Sequence, residues 1–256
     1  MLIPFRFGQE ETTGGQVWLT DDPAQARVLW THEPVIGIIG PGSEYHLWSG
    51  ILYLAESPEA VTPDYAARVW CRFYHEPVVI AQKTAEGEGW KLREMTKQDL
   101  PLLDRLYRDP QVQRFLPHPL GEEQRSGENE RMRVWEAWLD AYRELVYERE
   151  QPAMWTIADG EDRFLGRLGL EWKSEEGVSG DPDGYYLGYA LLPEHRGKGL
   201  VVRAAQALFA YLEEEWEIAE LWLKCRADNA ASVSCAERMG FSIQRRMDGG
   251  FLLMKR

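Results

Sequence analysis

The chain has 256 residues, 44% of them hydrophobic and 28% charged, with a formal net charge of -13. This composition excludes a disordered or fibrous chain, and no apolar run reaches the roughly 18 residues that a membrane span needs. The acid excess argues against broad binding to a nucleic-acid backbone and favours cationic partners, amines among them.

The N-terminal stretch "MLIPFRFGQEETT" lacks the basic-then-apolar layout of a signal peptide, so a cytoplasmic protein with no membrane partner is expected. Cys71, Cys225 and Cys235 lack the spacing of a metal site or a disulfide framework, which fits a reducing compartment, no metal, and a buried structural role for each. Extended segments are predicted over Leu2 to Phe7, Gln16 to Leu19, Val35 to Ile39 and Leu47 to Leu54, with "TTGG" and "GPGS" as turns between them. A helix follows, with Thr62 as N-cap and Pro63 at its first position, placing Ala66, Val69, Trp70 and Phe73 on one face. "PVVIA", Pro77 to Ala81, reads as a strand. The polar stretch "KTAEGEGW" then divides the chain into a module of residues 1–88 and a domain of residues 89–256.

In the second part "WKLREM" predicts a strand, and Thr96 with Asp99 three residues on reads as a helix-opening box before Leu100, Leu103, Leu106 and Tyr107. After the loop "PHPLGEEQRSGENE", the stripe Met132, Trp135, Trp138, Leu139, Tyr142, Leu145 and Val146 predicts a long amphipathic helix with a core-facing side. "AMWTIAD", "FLGRLGLEWK" and "GYYLGYALL" are predicted strands, with "KSEEGVSGDPDG" a turn-rich loop. Then comes "LLPEHRGKGLVVRAAQALFAYL", Leu191 to Leu212, whose Val202, Ala205, Leu208, Phe209 and Leu212 form a helical apolar face. "AELWLKCRA", "DNAASVSCAERMGF" and a strand pair around "SIQRRM" and "FLLMKR" complete the order.

A strand, a glycine turn and a helix aim unpaired N–H groups and the positive end of a helix dipole at an anion. Here the turn also carries His195, Arg196 and Lys198. It is neither a Walker A loop, since Leu200 stands where Ser or Thr is required, nor a dinucleotide fingerprint. A plain turn with basic surface residues stays open on these residues alone.

"ALLPEHRGKGLVVRAA" resembles the coenzyme A pyrophosphate loop of the GNAT acetyltransferase superfamily, with Arg196, Gly197, Lys198, Gly199, Leu200 and Val201 at the places of Q/R-x-x-G-x-G/A. "DNAASVSCAERMGF" is similar to the N-x-A-S…E-x-x-G-F segment of the ribosomal-protein N-acetyltransferase (RimJ/RimL-type) subgroup, through Asn229, Ala231, Ser232, Glu237, Gly240 and Phe241. "LREMTKQDLPLLDRLYRDPQVQRFL" resembles that subgroup's first strand and helix, so the likeness runs from Trp90 to Arg256. It implies an α/β (α+β) fold, a mixed central sheet flanked by helices. It further implies acetyl-CoA as cosubstrate and direct attack of a primary amine on the thioester, without an acyl-enzyme.

Carried over residue by residue, the resemblance puts the pyrophosphate on Arg196 to Val201, and the pantetheine arm on main-chain groups of Leu191 and Leu192 and on Asn229. Ser232 would hydrogen-bond the leaving sulfur; capping of the following helix is the plain reading for Asn229 and Ser232. Two places depart from the pattern: Val201 is bulkier than the small residue there, which puts coenzyme affinity in question, and Tyr186 replaces the glutamate that often precedes I-G-Y. Glu171 in "GLEW" is therefore the candidate general base, against the plain reading of a solvent-facing glutamate. His118 is a candidate for the acceptor pocket and Cys235 a helix residue near the coenzyme segment.

The expected acceptor is a peptide or protein N-terminus or a small cationic amine such as an aminoglycoside or polyamine. A catalytically silent acyl-coenzyme A sensor is the alternative. "LYLAESPEAVTPDYAARVWCRFYHEPVVIA" loosely repeats the strand-helix-strand order from Leu221 to Ile243. For residues 1–88 a degenerate acetyltransferase half, an independent α/β module and a dimerisation element, hence a homodimer, all stay open.

Overall fold

The computed structural model describes residues 1–7, 15–83, 89–121, 127–149, 151–174 and 181–256, which leaves the "TTGG" turn, most of "KTAEGEGW" and parts of the two long loops outside. Two compact units are present, Met1–Val78 and Val79–Arg256. No helix among the described residues is long and apolar enough to cross a membrane.

In the first unit β1 (Leu2–Phe7) and β2 (Gly15–Thr20) form an antiparallel pair. β3 (Val35–Ile38) runs parallel to β2, and the two-residue β4 (Leu54–Ala55) parallel to β3. The extended segment expected from Leu47 shrinks to that last pair, because Tyr45–Trp48 winds into a 3-10 turn that buries Trp48. The Trp48 ring lies over Gly37, where a Cβ would come within 2.2 Å of it, so the fit depends on glycine in β3. α1 (Pro23–Leu29) was not expected. Asp22 caps it, accepting from the N–H groups of Ala24 and Gln25, but only Ala26 is buried and the stretch is too short to show periodicity. α2 (Pro63–Tyr74) starts where predicted, with the Thr62 side chain accepting from Tyr65 N–H at 3.1 Å. Ala66 and Val69 bury it against Val17, Leu19, Ile36 and Ile38.

The second unit begins ahead of the expected 88/89 division. β5 (Val79–Lys83) pairs antiparallel with β6 (Trp90–Glu94), and Ile80 and Ala81 pack on the larger core, so β5 belongs to this unit's sheet. The sheet continues through β7 (Met154–Asp159), β8 (Phe164–Lys173) and β9 (Gly184–Leu191), all antiparallel. β10 (Trp222–Arg226) is parallel to β9, while β11 (Ser242–Met247) and β12 (Phe251–Lys255) close the order 11-12-10-9-8-7-6-5. The expected mixed sheet flanked by helices is thus present.

α3 (Leu100–Tyr107), the single turn α4 (Pro110–Gln113) and α5 (Glu128–Tyr142) build one hydrophobic cluster, with Leu103, Leu106, Trp135 and Leu139 in its interior. α6 (Leu200–Trp216) and α7 (Ala230–Arg238) build the other. The predicted run to Val146 ends as α-helix at Tyr142 and continues as a π-turn over Arg143–Tyr147.

The start of α3 is fixed electrostatically. Arg93 and Asp99, each 2% exposed, pair at 2.7 Å, and Asp99 also accepts from Thr96 N–H and the Thr156 hydroxyl. The predicted box at Thr96 and Asp99 is formed. Asp104 takes the Arg131 guanidinium and the Trp135 indole N–H, tying α3 to α5.

Candidate active site

β9 pairs with β8 along its whole length, but with β10 only at Tyr186 and Trp222. Beyond that bridge the two strands part, and a cleft of about 460 Å3 opens between them. Antiparallel pairing alternates main-chain groups between the two edges of a strand. Leu192 N–H donates to Leu165 O at 3.0 Å, so Leu192, Ala190 and Gly188 turn their main chain toward β8, and Leu191, Tyr189 and Leu187 turn theirs toward the cleft. The expectation for Leu192 therefore changes: its N–H is spent on β8 and its side chain, 2% exposed, is core. Leu191 lines the cleft, but its carbonyl already accepts from Arg196 Nε at 2.9 Å. Tyr189, which the sequence reading passed over, offers both main-chain groups.

The cleft runs to the N-terminus of α6. Gly197 and Gly199 adopt φ of +76° and +70°, the left-handed region open to glycine, and Gly199 is the N-cap with no side chain to satisfy the first N–H groups. The first main-chain bond is Arg203 N–H to Gly199 O, leaving the amides of Leu200, Val201 and Val202 as donors at the positive end of a 17-residue helix. Val201, bulkier than the family pattern has at this place, is 8% exposed and packs in the core while also lining the cleft.

Arg196 holds the turn rather than projecting from it. Besides Leu191 O, it donates to Gln111 Oε1 at 2.8 Å and pairs with Asp109, the residue that caps α4. Burial pushes the Asp109 carboxyl up, but the Gln111 N–H and the Arg196 guanidinium outweigh it and hold the group below the usual carboxylate range. Other cations near the turn make no ion pair among the described residues. Lys198, Arg203 and Arg238 surround a shallow depression on the outer side of Gly197 and Gly199, and a Cβ on Gly199 would meet Arg238 Nη2 at 3.3 Å. Arg203 and Arg238 were not singled out from the sequence. Arg203 lies one helical turn beyond Gly199, which is the signal that could have found it.

Asn229 and Ser232 both line the cleft. Asn229 is the N-cap of α7, its side chain accepting from Ser232 N–H at 3.2 Å, so the capping belongs to Asn229. The Ser232 hydroxyl instead lies 3.0 Å from the Tyr189 hydroxyl, which also donates to Ser232 O at 3.0 Å. Burial holds the Tyr189 phenol protonated, well above its ordinary range. Cys225 and Cys235 line the same wall as free thiols, and burial raises both. Cys71, in the first unit, is a free thiol of intermediate exposure.

The remaining candidates lie elsewhere. Glu171 projects from β8 into solvent, with its side chain 74% exposed and 3.5 Å from Lys173 Nζ, and it is not among the residues that line the cleft. Its cross-strand neighbour Tyr186 donates to Pro182 O at 2.9 Å; burial, with Asp181 nearby, pushes its phenol up to about 12, a donor and not a base at neutral pH. His118 packs against the rings of Tyr107 and Trp135, accepts from Leu120 N–H, and is kept neutral by burial. The charged side chains lining the cleft among the described residues are Arg196, Lys224, Arg226 and Arg238, in a chain of net charge -13.

Residues 90–242 match the family model described as "Acetyltransferase (GNAT) domain". The chain belongs to the GNAT acetyltransferase family. Within GNAT, a 58-residue stretch is 36% identical to the ribosomal-protein-serine acetyltransferase of Escherichia coli (strain K12), a match spanning 23% of this chain and only 32% of that enzyme. Solved structures agree in fold. RimL, a ribosomal L7/L12 alpha-N-protein acetyltransferase, superposes with a TM-score of 0.54 at 22% identity over 72% of this chain and 96% of its own. Mycobacterium smegmatis RimJ, in complex with CoA-disulfide, gives 0.54 at 14% identity over 70% and 87%. The ribosomal-protein-S5-alanine acetyltransferase of Vibrio fischeri gives 0.52 at 14% identity over 69% and 96%. The GNAT fold and the family read from "RGKGLV" and "DNAAS" are borne out.

Proposed function

We propose that this protein transfers the acetyl group of acetyl-CoA to the α-amine at the N-terminus of a peptide or protein. The observation that carries the reading is the gap between β9 and β10, which leads from the glycine turn and its free helix amides to Tyr189 and Ser232. The pyrophosphate would lie on the amides of Leu200 to Val202 with Lys198, Arg203 and Arg238 around it. The pantetheine amides would pair with the main chain of β9 as a missing strand would, bringing the thioester to the Tyr189 and Ser232 hydroxyls.

In the reaction the neutral amine nitrogen attacks the thioester carbonyl carbon. As the C–S bond breaks, the thiolate takes a proton from the Ser232 hydroxyl, which the Tyr189 phenol 3.0 Å away replaces, and Tyr189 recovers its own from the attacking nitrogen, which gives up its extra proton to become the amide. The cleft lining offers no carboxylate among the described residues to hold a polycation. An α-amine, with a pKa of about 7.7 to 8.0, is partly neutral at physiological pH, whereas a lysine-type amine at about 10.4 needs a strong base. The RimL and ribosomal-protein-serine acetyltransferase relatives point the same way.

The test is steady-state thiol release from acetyl-CoA with peptides bearing free N-termini, and with spermidine and an aminoglycoside beside them, followed by product mass. An added 42 Da on the peptide α-amine, about the mass of an acetyl group replacing hydrogen, is expected. Turnover confined to the polyamine or aminoglycoside would replace the reading, and coenzyme binding without turnover on any amine would leave an acyl-coenzyme A sensor.

A further inference from the structure

Arg167, behind Gly188 and outside the residues that line the cleft, is a cation that the reaction as described does not use. Arg167 sits on β8 opposite Ala190 of β9, on the face covered by α3 and α5. Its guanidinium lies over the Tyr107 ring at 5.3 Å, and its Nε is buried with no hydrogen-bond partner among the described residues. A buried guanidinium donor without an acceptor is costly, and such a group is retained most readily where a ligand supplies the acceptor. His118, on the same Tyr107 ring at 5.6 Å, repeats the pattern: its Nδ1 accepts from Leu120 N–H, which makes Nε2 the donor of the neutral ring, and Nε2 too is buried without a partner.

The way from the cleft to Arg167 is through Gly188. This residue lines the cleft, and a Cβ built on it would lie 3.5 Å from Arg167 Nη1. With glycine there, the space of a methyl group is left beside the guanidinium. Of the cations that line the cleft, Arg196 pairs with Asp109, Lys224 with Asp181 at 2.8 Å and Arg226 with Asp228 at 2.9 Å. The carboxylate Glu94 is felt by Tyr142, as Arg167 is, but no ion pair joins Arg167 to a described residue.

We propose that Arg167, reached past Gly188, selects an acceptor whose α-amine is followed by an acidic peptide segment. This rests on the reading of the chain as an N-terminal acetyltransferase and names the substrate class for it. A carboxylate beside the amine accepts from the guanidinium, and the same positive charge helps the neighbouring ammonium lose its proton before attack. The chain's overall charge pointed toward cationic acceptors; the local field at Arg167 reverses that preference.

The experiment uses the full chain, acetyl-CoA and three synthetic hexapeptides that share an N-terminal Ser-Ala and continue with Asp and Glu, with Ala and Gln, or with Lys and Arg; spermidine is a fourth acceptor. Expected is a kcat/KM at least about tenfold higher for the acidic than for the basic peptide, carried mainly by KM and falling as salt is added. Arg167→Met should bring that ratio to within about twofold while the calorimetric affinity for acetyl-CoA stays unchanged, and Arg167→Lys should restore part of it. Gly188→Ala keeps the cation but fills the space beside it and should raise KM for the acidic peptide, which covers the case in which Arg167→Met does not fold. Equal rates on the three peptides, a preference for the basic one, or an unchanged ratio in a folded Arg167→Met would overturn the role of Arg167 and leave N-terminal acetylation standing. Acetylation of spermidine with no peptide modified would instead remove the parent reading, and this inference with it.

Discussion

The two sides of the β9 gap are built from different materials. On the proposed coenzyme side the ligand groups would be main chain: the outward edge of Tyr189, and the amides that follow two left-handed glycines. On the proposed acceptor side they would be side chains, Arg167 and Tyr107, brought together from β8 and α3 by the sheet register and by the ion pair that anchors α3. A main-chain site needs a conformation, which a few residues in one stretch can specify. A side-chain site needs several elements in register at once, and its chemistry changes with a single substitution.

The largest expected effect breaks the acceptor side through its anchor. Asp99→Ala takes from buried Arg93 one of its two carboxylate partners, leaving Asp162, and strips Thr96 N–H and the Thr156 hydroxyl of their acceptor; it should cost about 3 kcal/mol of stability, read as a fall in the urea midpoint. The folded fraction should still bind acetyl-CoA, because the amides that follow Gly199 belong to α6 and not to α3. If coenzyme affinity falls along with stability, the two sides are not separable in the way drawn above.

Gly199→Asp attacks the other side. It forces a Cβ into the left-handed region 3.3 Å from Arg238 Nη2 and sets a carboxylate at the helix N-terminus where the anion belongs. Calorimetry should give an acetyl-CoA affinity weaker by on the order of 30-fold, about 2 kcal/mol, in a protein that stays folded. An unchanged Kd would remove the pyrophosphate from this turn.

These expectations track what could be read from residues alone. "RGKGLV" announced its turn because the glycines, the helix after them and the family pattern all lie within one short stretch. α2 and the box at Thr96 and Asp99 were equally legible, since caps and periodicity are local. Arg167 in "FLGRLGLEWK" looked like any strand residue; only the register that sets it opposite Ala190 and diagonal to Gly188 gives it a role. Tyr189 escaped for a similar reason, its partner Ser232 being 43 residues away. The net charge of -13 sums the whole surface, so it could not show that the cleft wall is lined by Arg196, Lys224, Arg226 and Arg238.

Ser232→Ala sharpens the contrast from the middle of the cleft. Loss of the hydroxyl beside Tyr189 should lower kcat about threefold to tenfold with little change in coenzyme affinity, and the melting temperature should barely move because Asn229, not Ser232, caps α7. A fall in melting temperature with kcat intact would make Ser232 structural. The smallest effect is expected at Glu171, whose carboxylate stands in solvent beside Lys173. Glu171→Gln should change kcat/KM by less than about twofold between pH 6 and 9. A loss that deepens toward low pH would restore it as the general base.

The single bridge between Tyr186 and Trp222 has a bearing on motion as well as on binding. A sheet whose ninth and tenth strands meet at one residue pair is, without ligand, two half-sheets sharing a seam. Amide exchange should therefore be fast along the free edge of Leu187 to Leu191 relative to the edge that faces β8. Coenzyme would act as a removable strand: deuterium uptake at Tyr189 and Leu191 should slow when it binds, and the slowing should spread into β10 and α7 as the seam closes.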